Sequence, residues 1–283
     1  MFSPYIALMK LRVVELLVVT TIPALFLASR GIPPLVVSAA TLIGGTLAAG
    51  AANAFNMIIE SDIDQLMGRT SKRPIVNKEI TERQALIFAF SITIVSLSIF
   101  WFFTTKLATA LTAGAIIFYV FIYTIGLKRR TNQNIVWGGI AGCFPVIIGW
   151  SAITNSLSWT AALFFLLVFF WTPPHFWALA IKYRDDYSAA GIPMLPSVAP
   201  IGEVAKQMWF HTIAMFITSF LTLWSADAPT WSYLIALGLA IFFAYLMRGL
   251  TGASSDKVAM RVFHGSITYL SIYSILLVVV AFA

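Results

Sequence analysis

The sequence predicts an all-α polytopic membrane protein of nine transmembrane helices. Three observations predict it. Of its 283 residues, 60% are hydrophobic and 10% are charged, with a mean hydropathy of +0.89, whereas a soluble domain carries about 25% charged residues. Nine apolar stretches reach spanning length. Finally, when the spans are alternated across a bilayer, 16 of the 18 Lys and Arg fall on one side and only Arg30 and Lys106 on the other. That asymmetry places the N-terminus in the cytoplasm and, with nine spans, the C-terminus outside.

The spans run through residues 13–29, 34–58, 84–104, 107–126, 135–153, 159–181, 208–225, 231–247 and 263–282. The first follows Lys10 and Arg12 and has no small-residue cleavage site after it, so it reads as a retained span. Glu15 stands alone near its start, with a structural role. The second is rich in Gly and Ala and the fifth opens with GGIAG, a composition that lets helices approach closely in lipid. A turn at Thr104–Lys106 separates the third from the fourth. The whole chain, 1–283, reads as one integral-membrane domain. The net charge of +7 is explained by the loop asymmetry, so nucleic acid is not an expected partner. The single cysteine, Cys143, excludes an internal disulfide and reads as packing. His211 and His264 fall at span starts and read as interfacial.

The chain is organised around Asn53–Pro74, where the second span runs into a burst of charge. Asn56, Glu60 and Asp64 recur at i, i+4 and i+8, which on a helix aligns them along one face. Asp62 lies off that line, and Arg69, Lys72 and Arg73 follow. Carboxylates and a carboxamide are hard oxygen ligands of the kind Mg²⁺ takes, usually in company with a substrate phosphate. Arg and Lys suit the phosphate itself. An acidic residue at a bilayer centre costs about 2.5–3.5 kcal/mol, so the cluster belongs at the membrane surface or against a wet cavity.

A second polar segment, WTPPHFWALAIKYRDDYSAAGIPMLP, spans residues 171–196. Pro173 and Pro174 should kink or break the sixth span. His175 sits beside them, either bonding a freed carbonyl or touching substrate. Asp185 and Asp186 follow, flanked by Lys182 and Arg184. There is no Ser-His-Asp pattern, no GxGxxG, no P-loop and no Cys/His cluster. Two carboxylate sites with cations, over an interior rich in Phe, Trp and Tyr, suit a lipid with a Mg²⁺-bridged diphosphate head. Metal would favour loss of diphosphate from an allylic carbon, and aromatic faces would stabilise the resulting cation.

The motif NxxxExDxD (Asn56, Glu60, Asp62, Asp64) followed by MGRTSKRP, then YTIGLKRRTNQNIVWGGIAGCFPVIIGW, then the second polar segment, resembles the UbiA-type membrane prenyltransferases in their haem-farnesylating branch. The resemblance runs from about Tyr5 to the last span. It implies a nine-helix bundle around a central cavity open to lipid. Farnesyl diphosphate would be ionised there with Mg²⁺, and its farnesyl group joined to a vinyl group of protohaem IX (haem b). A water-derived hydroxyl on the adjacent carbon would give haem O. Haem b is then substrate, not cofactor, and a haem-modifying enzyme or a terminal-oxidase assembly would be the onward partner. The resemblance implies that Asn56, Glu60, Asp64 and Asp186 are catalytic, that Asp62 and Asp185 join them around metal, and that Arg69, Lys72, Arg73, Tyr123, Lys128, Lys182, Arg184 and Asp185 contact substrate; the place of His175 beside the kink adds a contact to the haem. Against the family's NxxxDxxxD, Glu60 replaces the first Asp. Against its DxxxD, Asp186 matches the last position and Lys182 stands at the first, so either Asp185 substitutes or Lys182 contacts phosphate. The family's YxxxK appears as Tyr123 with Lys128 five residues on, and its Lys-Pro-Arg as Lys10-Leu11-Arg12. Two other readings compete. One is a related transferase acting on a quinone precursor or another tetrapyrrole. The other is a transporter with a midplane site in the sixth span, against which the charges cluster at one surface.

Overall fold

Hydropathy and helix coincide closely in the computed structural model, which describes residues 3–68, 70–252 and 255–283. The elements are α1 (Ser3–Met9), α2 (Leu11–Ser29), α3 (Leu35–Ile59), α4 (Ser61–Asp64), α5 (Glu82–Phe103) and α6 (Lys106–Ile117), which continues as a π-helix, Phe118–Leu127. After it come α7 (Asn134–Gly138), α8 (Ile140–Thr154), α9 (Trp159–Lys182), α10 (Arg184–Ala189), α11 (Leu195–Val198), α12 (Ile201–Ser225), α13 (Thr230–Leu246) and α14 (Ser255–Val280). No strand occurs among the described residues.

Among the described residues, seven helices are long and apolar enough to cross a membrane. The apolar parts of α2 (Leu17–Ser29) and α13 (Thr230–Leu246) are shorter. At 1.5 Å per residue the 17 residues of α13 reach about 25 Å, just under a typical hydrocarbon core. The chain is therefore a multi-pass membrane protein. Seven of the nine expected spans meet the full length on their own, and two are shorter members of the same bundle.

Each helix end has a local cause. Thr81 and Gln84 form a capping box at the start of α5, and the hydroxyls of Thr105 and Ser158 accept the N–H groups of Ala108 and Ala161 at the starts of α6 and α9. Arg30 and Asn155, both left-handed, close α2 and α8. Small residues set the closest approaches. Ser96 Oγ of α5 donates to the Gly44 carbonyl of α3 at 2.7 Å, and a Cβ at Gly149 of α8 would meet the Thr21 carbonyl of α2 at 3.0 Å. Helices α9, α12 and α14 enclose the largest apolar core, with Trp177, Tyr269 and Tyr273 fully buried.

Three expectations are corrected. Pro173 and Pro174 do not break the sixth span: α9 continues through both to Lys182. α12 begins at Ile201, about two turns before the apolar stretch, because Glu203, Lys206 and Gln207 ride on its polar extension. His211 is not interfacial. It is buried among Phe170, Trp177 and Phe210, and its Nδ1 is 2.9 Å from the Gln207 carbonyl.

Candidate functional site

The end of α3 carries the site. Glu60 N–H bonds the Asn56 carbonyl at 3.0 Å, and Asp64 N–H bonds the Glu60 carbonyl at 2.9 Å. The i→i+4 ladder thus runs past the end of α3 into α4, and the three side chains stay in line. All three are buried, with 2%, 1% and 2% of their surface exposed for Asn56, Glu60 and Asp64. Asp62, off the line, is exposed.

Each carboxylate meets a cation. Lys128 Nζ sits astride Glu60, 2.6 Å from Oε1 and 2.7 Å from Oε2. Arg73 lies 2.5 Å from Asp64. Arg129 forks onto Asp62 at 2.7 and 2.8 Å and holds its carboxyl below the usual carboxylate range. That pair is solvated, so its worth is small. Asn56 accepts from Lys10 Nζ at 2.8 Å and donates to Thr124 Oγ1 at 3.1 Å. Burial, and then the Arg73 charge, push the Lys10 ammonium down to about 7. Asn53 ties the chain before α2 to α3 through the Met9 carbonyl at 3.0 Å.

Asn56 and the cations that hold Glu60 and Asp64 reach one end of a cavity of about 330 Å³, while the two carboxylates themselves do not line it. Lys10, Asn53, Asn56, Arg73, Tyr123 and Lys128 line the charged end, and the body is apolar, with Leu17, Ile116, Phe144, Ile148, Trp171 and Phe176. Ligand cavities run from about 300 to 1,000 Å³. A molecule with an anionic head and a hydrocarbon body matches this division.

The second segment behaves differently. Lys182 is exposed, its ammonium 5.5 Å from the Tyr183 ring. Arg184 reaches Asp256 at 3.3 Å, and the Asp185 side chain is 99% exposed. The structure brings none of these three to the cavity, because on α10 it is Tyr187 that turns inward to line it. Asp186 is half-buried and does not line it. His175 is buried, stacked between Trp171 and Phe263 at 4.3 and 4.6 Å, with Nδ1 2.7 Å from Ser266 Oγ. Ser266 donates its own proton to the Phe263 carbonyl. The expected contact with a freed proline carbonyl is therefore replaced by a seryl hydroxyl on α14. Lys72 is exposed, and Arg69 lies outside the described residues.

Sequence reasoning missed Lys10, Asn53, Tyr119 and Thr124 as site residues. Asn53 had a signal, since it sits one turn before Asn56 on the same helix face. Thr124 had none.

Among the described residues no three His, Cys, Asp or Glu lie close enough to hold an ion by themselves. The donors instead fit a shared Mg²⁺, which ordinarily takes one or two carboxylates, waters and substrate phosphate. Glu60, Asp64 and Asn56 supply the hard oxygens for that fit, in line along one helix face and buried from bulk water.

Residues 17–275 match the model of the UbiA prenyltransferase family. The chain is 51% identical over 286 residues to the protoheme IX farnesyltransferase of Frankia casuarinae, covering 98% of this chain and 97% of that one. It is 50% identical to its namesake in Frankia alni, again over 98% and 97%. Its fold resembles a solved digeranylgeranylglyceryl phosphate synthase (TM-score 0.81, 16% identity, covering 99% and 98%). It also resembles a UbiA homologue from Archaeoglobus fulgidus bound to GPP and Mg²⁺ (TM-score 0.71, 15% identity, covering 98% and 100%). A family model spanning most of the sequence, near-complete relatives at half identity and the same fold agree: the chain belongs to the UbiA prenyltransferase family.

Proposed function

We infer that the protein transfers a farnesyl group from farnesyl diphosphate to a vinyl group of protohaem IX, giving haem O. The single observation that carries the prenyl-diphosphate half is the cavity, charged at one end and apolar along its body. The haem half rests on relatives at about half identity that are named protoheme IX farnesyltransferase.

In this reading Asn56, Glu60 and Asp64 hold Mg²⁺, which when bound neutralises the leaving diphosphate. Lys10, Arg73 and Lys128 bind the phosphate oxygens, so Arg73 and Lys128 exchange a carboxylate partner for a phosphate one. Arg69 and Lys72, next to Arg73 in sequence, are secondary candidates for the same task. Asp186 is the acidic candidate from the second segment, since its neighbour Tyr187 lines the cavity. The isoprenoid lies along the apolar body. Heterolysis of its C–O bond leaves diphosphate and an allylic cation, which Tyr119, Tyr123 and Trp171 face with aromatic rings. The vinyl π electrons form the new C–C bond. Water then adds to the cation left beside the macrocycle and loses a proton, so a hydroxyl remains. The apolar walls keep water from the farnesyl cation first. The charged end faces the cytoplasm, in accord with the loop asymmetry.

The test is incubation of the purified protein with haem b, farnesyl diphosphate and Mg²⁺, followed by mass analysis of the pigment. A haem heavier by one farnesyl group and one hydroxyl group is expected. Unchanged haem, with the isoprenoid on another acceptor or none, would overturn the reading.

A further inference from the structure

Lys128 stands five residues after Tyr123, and both line the cavity. On an α-helix five steps leave two side chains about 140° apart, whereas four steps bring them into line. An α-helical segment would therefore present Leu127 where Lys128 now stands. The segment is not α-helical: Phe118–Leu127 is a π-helix ten residues long, and such helices are mostly single turns. Lys128 N–H bonds the Tyr123 carbonyl, five residues back, at 2.9 Å. The Thr124 hydroxyl repeats that spacing on the Tyr119 carbonyl at 2.9 Å. Gly126 suits the wide turn, since a Cβ there would come 3.2 Å from the Phe121 carbonyl.

We propose that this π-helix is a register device, which turns Lys128 in place of Leu127 onto the face shared by Tyr119, Tyr123 and Thr124 and so delivers its ammonium to Glu60. Thr124 is the positioning residue within it, because the same hydroxyl that closes the wide turn also receives the Asn56 amide at 3.1 Å. One hydroxyl thereby fixes the rotation of the helix and the orientation of the carboxamide opposite. The placement of Lys128 rests on geometry alone; its consequence for diphosphate rests on the prenyl-transfer reading.

The register can be read without activity. In a Cys143→Ser background, Glu60→Cys is paired with Lys128→Cys or with Leu127→Cys, and a short thiol-specific cross-linker is applied in native membranes. Joined peptides are expected for the first pair and lost for the second. Equal linking of both pairs, or linking through position 127 alone, would overturn the proposal. A second measurement is the exchange Leu127→Lys with Lys128→Leu in the transfer assay. It is expected to raise the KM for farnesyl diphosphate about tenfold, the worth of one charge-assisted hydrogen bond, as Lys128→Leu alone does. A wild-type KM in the exchanged protein would count against the register. Should the unmodified protein transfer no prenyl group while the cross-links fall as expected, the functional reading fails and the register stands.

Discussion

Two segments of this chain look alike in sequence and differ in three dimensions. Each leaves an apolar span, passes carboxylates and cations within a few residues, and returns to lipid. In the first, Asn56, Glu60 and Asp64 are buried, and each faces a partner: Lys10 and Lys128 from elsewhere in the chain, and Arg73 from the turn that follows α4. In the second, Lys182 and Asp185 face outward and Arg184 spends its charge on an exposed pair with Asp256. Beyond Lys182, the inward residues of the second segment are apolar or aromatic: Tyr187, Ile192, Met194 and Leu195. Charge content does not separate a site from a solvated turn. Helical phase does, together with the arrival of oppositely charged groups from other elements.

The largest effect is expected at Asp64. Asp64→Asn keeps the shape and removes the charge that faces Arg73. Farnesyl transfer should fall at least about 100-fold in kcat/KM, which is about 2.7 kcal/mol, while the protein still inserts into membranes. A wild-type rate would erase the distinction between the two segments.

Next comes the Glu60–Lys128 pair. Glu60 is buried, so Lys128→Met strands a carboxylate, and breaking such a pair costs about 3–5 kcal/mol. Thermal unfolding in detergent should show that loss. Adding Glu60→Gln should restore most of the stability, because no charge is left without a partner, yet transfer should stay low in both proteins. Restored transfer in the double variant would mean that the pair holds the fold and does nothing for the substrate.

Much of this was legible in advance. The spans were readable because lipid imposes one rule on every residue it touches, and the predicted bounds of the second to sixth agree with α3, α5, α6 with its π extension, α7–α8 and α9 to within two residues. The line Asn56–Glu60–Asp64 was readable because helical phase is a property of spacing. Lys10 was not, since it turns back from a left-handed position between α1 and α2 to reach Asn56. Contacts made across a turn leave no periodic trace. Nor was the fate of the second segment legible, because α10 starts a new helix after Tyr183 and resets the phase. The departure of Tyr123 and Lys128 from a four-residue spacing was visible, but its resolution in a π-helix needed the backbone.

The smallest effect is expected in that second segment, and it completes the comparison. Asp185 approaches Arg184 only at 3.9 Å and is otherwise open to solvent. Exposed pairs of this kind contribute about 0–1 kcal/mol. Asp185→Asn, measured alongside Asp64→Asn in the same assay, should leave kcat/KM and the unfolding temperature where they are. Loss of transfer in Asp185→Asn with the fold intact would mean that α10 rotates when substrate binds and carries a second acidic group inward. The asymmetry between the two segments would then be a property of the ligand-free protein alone, and the symmetry of their sequences would have been the better guide.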